Sequence, residues 1–182
     1  MPDQLFFIHE HDWGELELLP VENRRRWLAL TRQNQASGAA KPWRNTQKDC
    51  SLLAREIPLH VLEGLLAPRL PRSGIVQTGS SASLRVVEDG FAFGEGYGEG
   101  GALYGTQVRG TIHSLHVQMP QTEDEQYLVF FAQVLGKLAR TYDLFLLDQW
   151  HRRVVSLRDE VTARTYVHRC AEELGARDHG PD

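Results

Sequence analysis

The chain has 182 residues, of which 41% are hydrophobic and 24% charged, and its 20 basic and 24 acidic residues leave a formal net charge of −4. This composition excludes a wholly disordered chain, and general nucleic-acid binding is not expected, because affinity for phosphates rests on an excess of Lys and Arg. No apolar run approaches the roughly 18 residues of a membrane span, and neither a secretory leader nor a cysteine framework is evident, so we expect no membrane association and a cytoplasmic location.

The first third of the chain predicts short strands and helices in alternation. Leu5–Ile8 is aromatic and branched, which favours a buried strand, and Glu15–Leu19 alternates as a half-buried strand does. Because Pro is favoured in the first turn of a helix, we expect a helix over Pro20–Gln35 and a short one over Pro58–Leu66. Residues 38–48 are polar and read as a loop, and Cys50–Ile57 is ambiguous between strand and helix.

The middle of the chain has the composition of β-structure. Four strand candidates follow one another: Ser83–Val87, Gly90–Phe93, Ala102–Val108 and Thr111–Gln118. Between the second and third lies a glycine-rich segment, residues 94–101, that contains Glu95, Tyr97 and Glu99. Two carboxylates would repel a phosphate and no Lys follows, so we favour a hairpin loop that reaches a partner over a nucleotide site. A plain connection with no role remains an alternative.

The last third predicts a long helix, a hairpin and a final helix. Thr122 and Glu125 have the spacing of a capping box before an apolar stripe that runs to about Tyr142. Leu144–Leu147 and Val154–Leu157 are the expected hairpin strands, and Asp159 is the expected cap of the final helix. Cys170, on the apolar side of the last helix, is predicted to be a core residue. Trp150, in the hairpin turn, is predicted to be a core residue, with an exposed aromatic anchor for binding as the alternative that burial decides.

These elements predict a single α+β domain over residues 1–175, with a mostly antiparallel sheet packed against three to four helices. Residues 176–182 are polar and are expected to form a flexible tail.

One set of residues could carry metal chemistry. His9 and His11 would share one face of a strand, and Asp12 adds a carboxylate oxygen, as a divalent metal site requires. The alternative is that both histidines lie at the exposed end of a strand, since no further ligand stands at a familiar spacing. No Gly-x-Ser-x-Gly elbow or other activated nucleophile is evident. We therefore predict no catalytic residues and no cofactor.

The C-terminal third combines a long helix ending in Ala139-Arg140-Thr141-Tyr142-Asp143, the apolar Leu144–Leu147, and a turn at Asp148-Gln149-Trp150. This arrangement, over about residues 122–157, resembles small bacterial immunity proteins, the antidotes encoded beside polymorphic or type VI secreted toxins. It implies a non-enzymatic cytoplasmic protein that binds its cognate toxin and blocks the toxin's active site, and it implies no catalytic residues.

The distribution of charge indicates where such a partner would bind. Residues 85–125 contain seven acidic and two basic residues, and the first 20 residues contain five acidic and no basic ones. An acidic surface complements the basic cleft of a toxin that acts on nucleic acid or nucleotides. The predicted partner-binding residues are Asp89, Glu95, Tyr97, Glu99 and Tyr104. A small metal-dependent hydrolase and an adaptor subunit with a non-toxin partner remain alternatives. The oligomeric state is open, as is whether the interface uses the glycine-rich acidic loop or the N-terminal turn.

Overall fold

The computed structural model describes residues 5–10, 12, 15–37, 50–67, 69–80, 83–94 and 100–178. In these ranges ten strands and four α-helices form one α+β domain, which confirms the predicted fold class. The strands are β1 (Leu5–His9), β2 (Leu16–Pro20), β3 (Arg72–Ser73), β4 (Ile75–Ser80), β5 (Ser83–Val86), β6 (Gly90–Gly94), β7 (Ala102–Val108), β8 (Thr111–Gln118), β9 (Leu144–Asp148) and β10 (Arg153–Val155). The helices are α1 (Arg24–Ser37), α2 (Leu59–Leu66), α3 (Glu125–Thr141) and α4 (Glu160–Asp178).

A seven-stranded sheet, in the order β10-β9-β2-β8-β7-β6-β3, organises the domain, and its strand pairs are antiparallel. Successive side chains along a strand point to opposite faces of the sheet, and the long strands carry apolar side chains on both faces. Leu18, Leu103, Leu115 and Leu146 belong to the larger core, which also contains the apolar sides of α2, α3 and α4. The helical layer therefore covers one face of this sheet.

The opposite face is covered by α1 and by a second, three-stranded sheet. Trp27 of α1 packs with Leu19, Phe145 and Leu147. The second sheet has the order β1-β4-β5, in which β1 and β4 are parallel, and its inner residue Phe6 packs against Tyr104 of β7. The two sheets and the helices thus form three layers, and both outer layers reach the end of the large sheet where β8 and β9 terminate.

Several local predictions need correction. Pro20 does not begin the helix as predicted. It is the last residue of β2, where it pairs with Leu144 of β9, and a 3-10 turn over Val21–Asn23 precedes α1. The ambiguous Cys50–Ile57 segment contains a 3-10 helix at Leu52–Arg55. Helix α4 continues to Asp178, beyond the predicted start of the tail, and the predicted loop over 38–48 lies outside the described residues.

No helix in the described ranges is long and apolar enough to cross a membrane.

The cap of α3 also differs from the prediction. Asp124, not Thr122, is the N-cap, and its Oδ1 accepts hydrogen bonds from the backbone N–H groups of Gln126 and Tyr127 at 2.9 and 3.3 Å. Thr122 instead accepts from the Asp124 N–H, one step before the helix. The carboxylate adds a favourable interaction with the helix N-terminus, which explains its preference at this position.

We expect Asp124→Ala to lower the free energy of unfolding by about 1 kcal/mol, because two backbone donors of α3 lose their acceptor. Thr122→Ala should cost clearly less. Urea unfolding of the two variants, with the exposed Glu123→Ala as control, measures both effects. If Thr122→Ala is as costly as Asp124→Ala, the assignment of the cap is wrong.

His116 of β8 gives the fold a pH dependence. Its side chain is buried beside the Tyr104 ring, with the ring centroids 5.5 Å apart, and burial lowers the pKa of His116 from 6.5 to about 4. Between these two values the unfolded chain binds a proton that the folded chain does not take up. The contribution of His116 to the free energy of unfolding is therefore fully present above pH 6.5 and is lost as the pH falls toward 4.

From His116 alone we expect the free energy of unfolding to be about 2 kcal/mol lower at pH 5 than at pH 8. Urea unfolding of the native chain and of His116→Phe at both pH values isolates this contribution. Phe keeps a ring against Tyr104 and does not titrate. An equal loss on acidification in both proteins would show that His116 is not the group responsible.

Candidate functional site

A cavity of about 270 Å³ lies at the end of the large sheet where β8 and β9 terminate. Its lining comes from β1, the connection to β2, the first residue of β2, Tyr104 of β7, the end of β8 and the residues after it, the β9–β10 turn, and the second half of α4. Its position follows from the topology, because β2 is antiparallel to both β8 and β9 and so begins where they end. The cavity is therefore built from side chains of both outer layers.

A buried carboxylate organises one wall of the cavity. Asp148 is fully buried; its Oδ1 accepts from the backbone N–H of His151 at 2.8 Å, and its Oδ2 accepts from the Tyr166 hydroxyl at 2.8 Å. The same Oδ2 lies 2.8 Å from His151 Nδ1, and His151 Nε2 lies 3.0 Å from Glu173 Oε2. A buried carboxylate is costly unless it is paired in this way. The contacts hold the β9–β10 turn against α4.

The two further ionisable groups of this wall stay protonated at neutral pH. Burial raises the pKa of the Cys170 thiol to about 11, and burial likewise raises the pKa of Tyr166 above its usual range. The thiolate is the nucleophilic form of cysteine, and both ring nitrogens of His151 already face carboxylates. The wall therefore supplies shape and negative charge rather than an activated nucleophile. Cys170 is buried on the inner side of α4, as the sequence predicts.

The cavity is acidic and has an aromatic edge. Its acidic residues are Asp12, Glu15, Asp148 and Glu173, and none of the described residues that line it is Lys or Arg. Trp150 also lines it and is 53% exposed, so the prediction that Trp150 is a core residue was wrong. The tight β9–β10 turn holds the indole outside the core, because Gln149 continues the pairing with β2 through a hydrogen bond to the Glu15 carbonyl.

The acidic character continues beyond the cavity. Gln121 lines the cavity, and the exposed Glu123 and Asp124 follow it directly in sequence. We call the cavity-lining Asp12, Glu15, Asp148 and Glu173, together with Glu123 and Asp124, the acidic end. The sequence indicated the negative charge of the first 20 residues, which include Asp12 and Glu15, and of residues 85–125, but not this convergence, and Asp148 was interpreted as an ordinary turn residue. An acidic residue directly after four apolar strand residues was the available signal.

Three of the predicted partner-binding residues, Glu95, Tyr97 and Glu99, lie outside the described residues, as does His11. The described base of their loop is at the acidic end. The Tyr127 hydroxyl of α3 donates a hydrogen bond to the Gly100 carbonyl, and Ala102 pairs with Gln118 at the end of β8.

The structure does not bring the other two predicted residues to the same surface. Asp89 is exposed in the β5–β6 turn, at the opposite end of β6 from the loop, about 16 Å away along the strand at 3.3 Å per residue. Tyr104 is fully buried, so its ring does not belong to an exposed surface, although the residue lines the cavity and its hydroxyl donates to the Asp12 carbonyl at 3.3 Å. These two residues therefore do not extend the surface that the sequence predicts.

The proposed metal ligands are only partly described. The Asp12 N–H donates to the His9 carbonyl at 3.0 Å, so the two residues belong to one turn after β1. No group of three or more His, Cys, Asp or Glu side chains in the described ranges is placed to hold a metal ion. Because His11 is outside those ranges, the metal site stays a prediction.

A second exposed surface lies on the outer face of the three-stranded sheet. Leu5, Ile75, Leu84 and Val86 are exposed there, and their strand register places them on one face, opposite the buried Phe6. This face is apolar, whereas the acidic end carries carboxylates.

Comparison of the chain with protein-family models, curated proteins and solved structures gives no significant match.

Proposed function

We propose that the chain is a bacterial immunity protein that binds a cognate secreted toxin and blocks it through the acidic end. The observation that carries the proposal is the cavity, in which carboxylates from three separate parts of the chain converge beside the exposed indole of Trp150. The resemblance of residues 122–157 to immunity proteins supports the same surface, because this stretch contributes Glu123, Asp124, Asp148 and Trp150 to it.

The chemistry of the acidic end suits a basic protein partner. Exposed Trp is among the residues that contribute most to binding energy in interfaces, since it offers a large rigid contact area. Carboxylates around it complement the positive clefts with which enzymes hold nucleic acids or nucleotides, and they accelerate association with such a cleft. Blocking the cleft requires tight binding and no chemistry.

Growth protection tests the proposal. An immunity gene lies directly beside its toxin gene, so the adjacent gene product should arrest growth when it is expressed alone in a bacterial host. Co-expression of the full chain should restore growth, and the two proteins should co-purify as a stable complex. Arrest that the chain does not relieve, with no complex formed, would overturn the proposed function.

Charge reversal should separate the acidic end from the rest of the surface. Glu123→Lys should slow association with the toxin several-fold, up to about tenfold at low salt, because electrostatic steering is lost. Glu95→Lys and Glu99→Lys should act in the same direction. The matched control is Glu88→Lys, an exposed residue of the β5–β6 turn at the other end of β6. Equal effects of Glu123→Lys and Glu88→Lys on the association rate would remove the acidic end from the interface.

A further inference from the structure

The size and lining of the cavity restrict what it can hold. Its volume of about 270 Å³ is just below the range of small-ligand pockets, roughly 300–1,000 Å³, so it suits one side chain or a ligand of that size. An anion is disfavoured, because four acidic residues and no described Lys or Arg line the space. The complementary ligand is a cation.

The cavity contains a buried acceptor that has no donor in the described part of the chain. Gln118 lines the cavity from the end of β8, and its side-chain Oε1 is buried without a hydrogen-bond partner among the described groups. A buried acceptor that stays unpaired costs about 1–3 kcal/mol, so a donor that enters the cavity gains this free energy in addition to the attraction of the carboxylates. Glu173 and Asp12 also line the cavity, and the Glu173 carboxylate lies 3.0 Å from His151 Nε2 and 3.5 Å from Arg169 Nε.

The aromatic lining selects among cations. Phe7 and Trp150 line the same space, and an aromatic face attracts a planar guanidinium both by stacking and by the cation–π interaction. Arg169 lies over the Tyr166 ring in this chain, 5.4 Å from its centroid, which shows the same pairing within the fold. A guanidinium carries five donors in a plane and is weakly hydrated, so it suits acceptors on several walls better than a compact ammonium does.

We propose that this cavity is a receptor for a guanidinium group, and that an arginine side chain of the bound toxin occupies it. The assignment of the occupant to a toxin arginine rests on the proposed function, whereas the guanidinium site does not. The arginine would place its guanidinium between Glu173 and the Gln118 oxygen, with Trp150 covering its stem at the edge of the cavity. Such a buried arginine is a typical anchor of a protein interface.

The guanidinium site can be tested without the toxin. The probe is N-acetyl-arginine amide, titrated into the full ¹⁵N-labelled chain, with N-acetyl-citrulline amide as its neutral isostere. We expect saturable shifts of the Trp150 indole N–H and of amides around Gln118 and His151, with millimolar affinity, and no such shifts with the citrulline compound. Equal shifts with both compounds, or no shift with arginine amide, would overturn the site.

Two variants and a control locate the binding. Glu173→Gln and Trp150→Leu should each weaken arginine amide about tenfold, while the exposed Glu88→Gln removes the same charge as Glu173→Gln and should leave affinity unchanged. Unchanged affinity in both cavity variants would overturn the site. The growth assay distinguishes the two proposals. Protection without arginine binding supports the immunity function and contradicts this site. Arginine binding without protection supports the site and contradicts the immunity function.

Discussion

Gly105→Ala should destabilise the domain by at least about 3 kcal/mol. Gly105 lies in β7 opposite Leu115 of β8, at the centre of the seven-stranded sheet. A Cβ at this position would lie 2.0 Å from the backbone oxygen of Ser114, a contact that real Cβ atoms do not make. Since the clashing atom is backbone in a paired strand, it cannot move aside without breaking the β7–β8 ladder.

Gly64→Ala is the matched control for this prediction. Gly64 is an exposed residue inside α2, and a Cβ there meets nothing within 4 Å. Ala is the better helix former by about 1 kcal/mol, so this variant should be as stable as the native chain or slightly more stable. Urea unfolding of both variants measures the difference. A native-like stability of Gly105→Ala would contradict the tight approach of β7 and β8.

Asp148→Ala should cost about 3–5 kcal/mol, because the change removes the acceptor of a buried hydrogen-bond network. The Tyr166 hydroxyl and the backbone N–H of His151 would both be left inside the protein without their partner. The exposed Glu88→Ala, which removes the same charge, should change stability by less than about 0.5 kcal/mol. Urea unfolding of both variants near neutral pH provides the comparison.

A second substitution tests the reason for this loss. Tyr166→Phe removes the hydroxyl that donates to Asp148, so in the Asp148→Ala background it should cost less than it does in the native chain. The coupling should amount to about 1 kcal/mol or more. Additive effects of the two substitutions would show that Asp148 and Tyr166 do not stabilise each other.

Elements with strong local signals could be predicted from the sequence, and those defined by distant partners could not. The apolar stripes predicted α3 and α4, and Asp159 caps α4 as expected through its hydrogen bonds to Thr162. Strands β3 and β4 were missed, because Pro71, Gly74 and Gly79 interrupt the apolar pattern over Arg72–Ser80. The parallel partner of β4 is β1, some seventy residues earlier, and no local pattern reports such a pairing.

The candidate site shows the same limit. Its acidic residues Asp12, Asp148 and Glu173 lie far apart in sequence. They line one cavity because β1 and β9 end, and α4 passes, at the same end of the large sheet. Charge counting along the chain found an acidic region but placed Asp89 within the predicted surface, at the wrong end of β6. The exposure of Trp150 depends on the conformation of a short turn, which composition does not determine.

Hydrogen–deuterium exchange of the chain alone and in complex with its toxin tests most directly whether the acidic end is the binding surface. We expect slower exchange in the complex for peptides that cover residues 118–126 and 148–151, because their backbone lies at the acidic end. Peptides over residues 83–90, which include the exposed apolar β5 and the Asp89 turn, should exchange as they do in the free chain. Protection confined to residues 83–90, with no change at 118–126 and 148–151, would contradict binding through the acidic end.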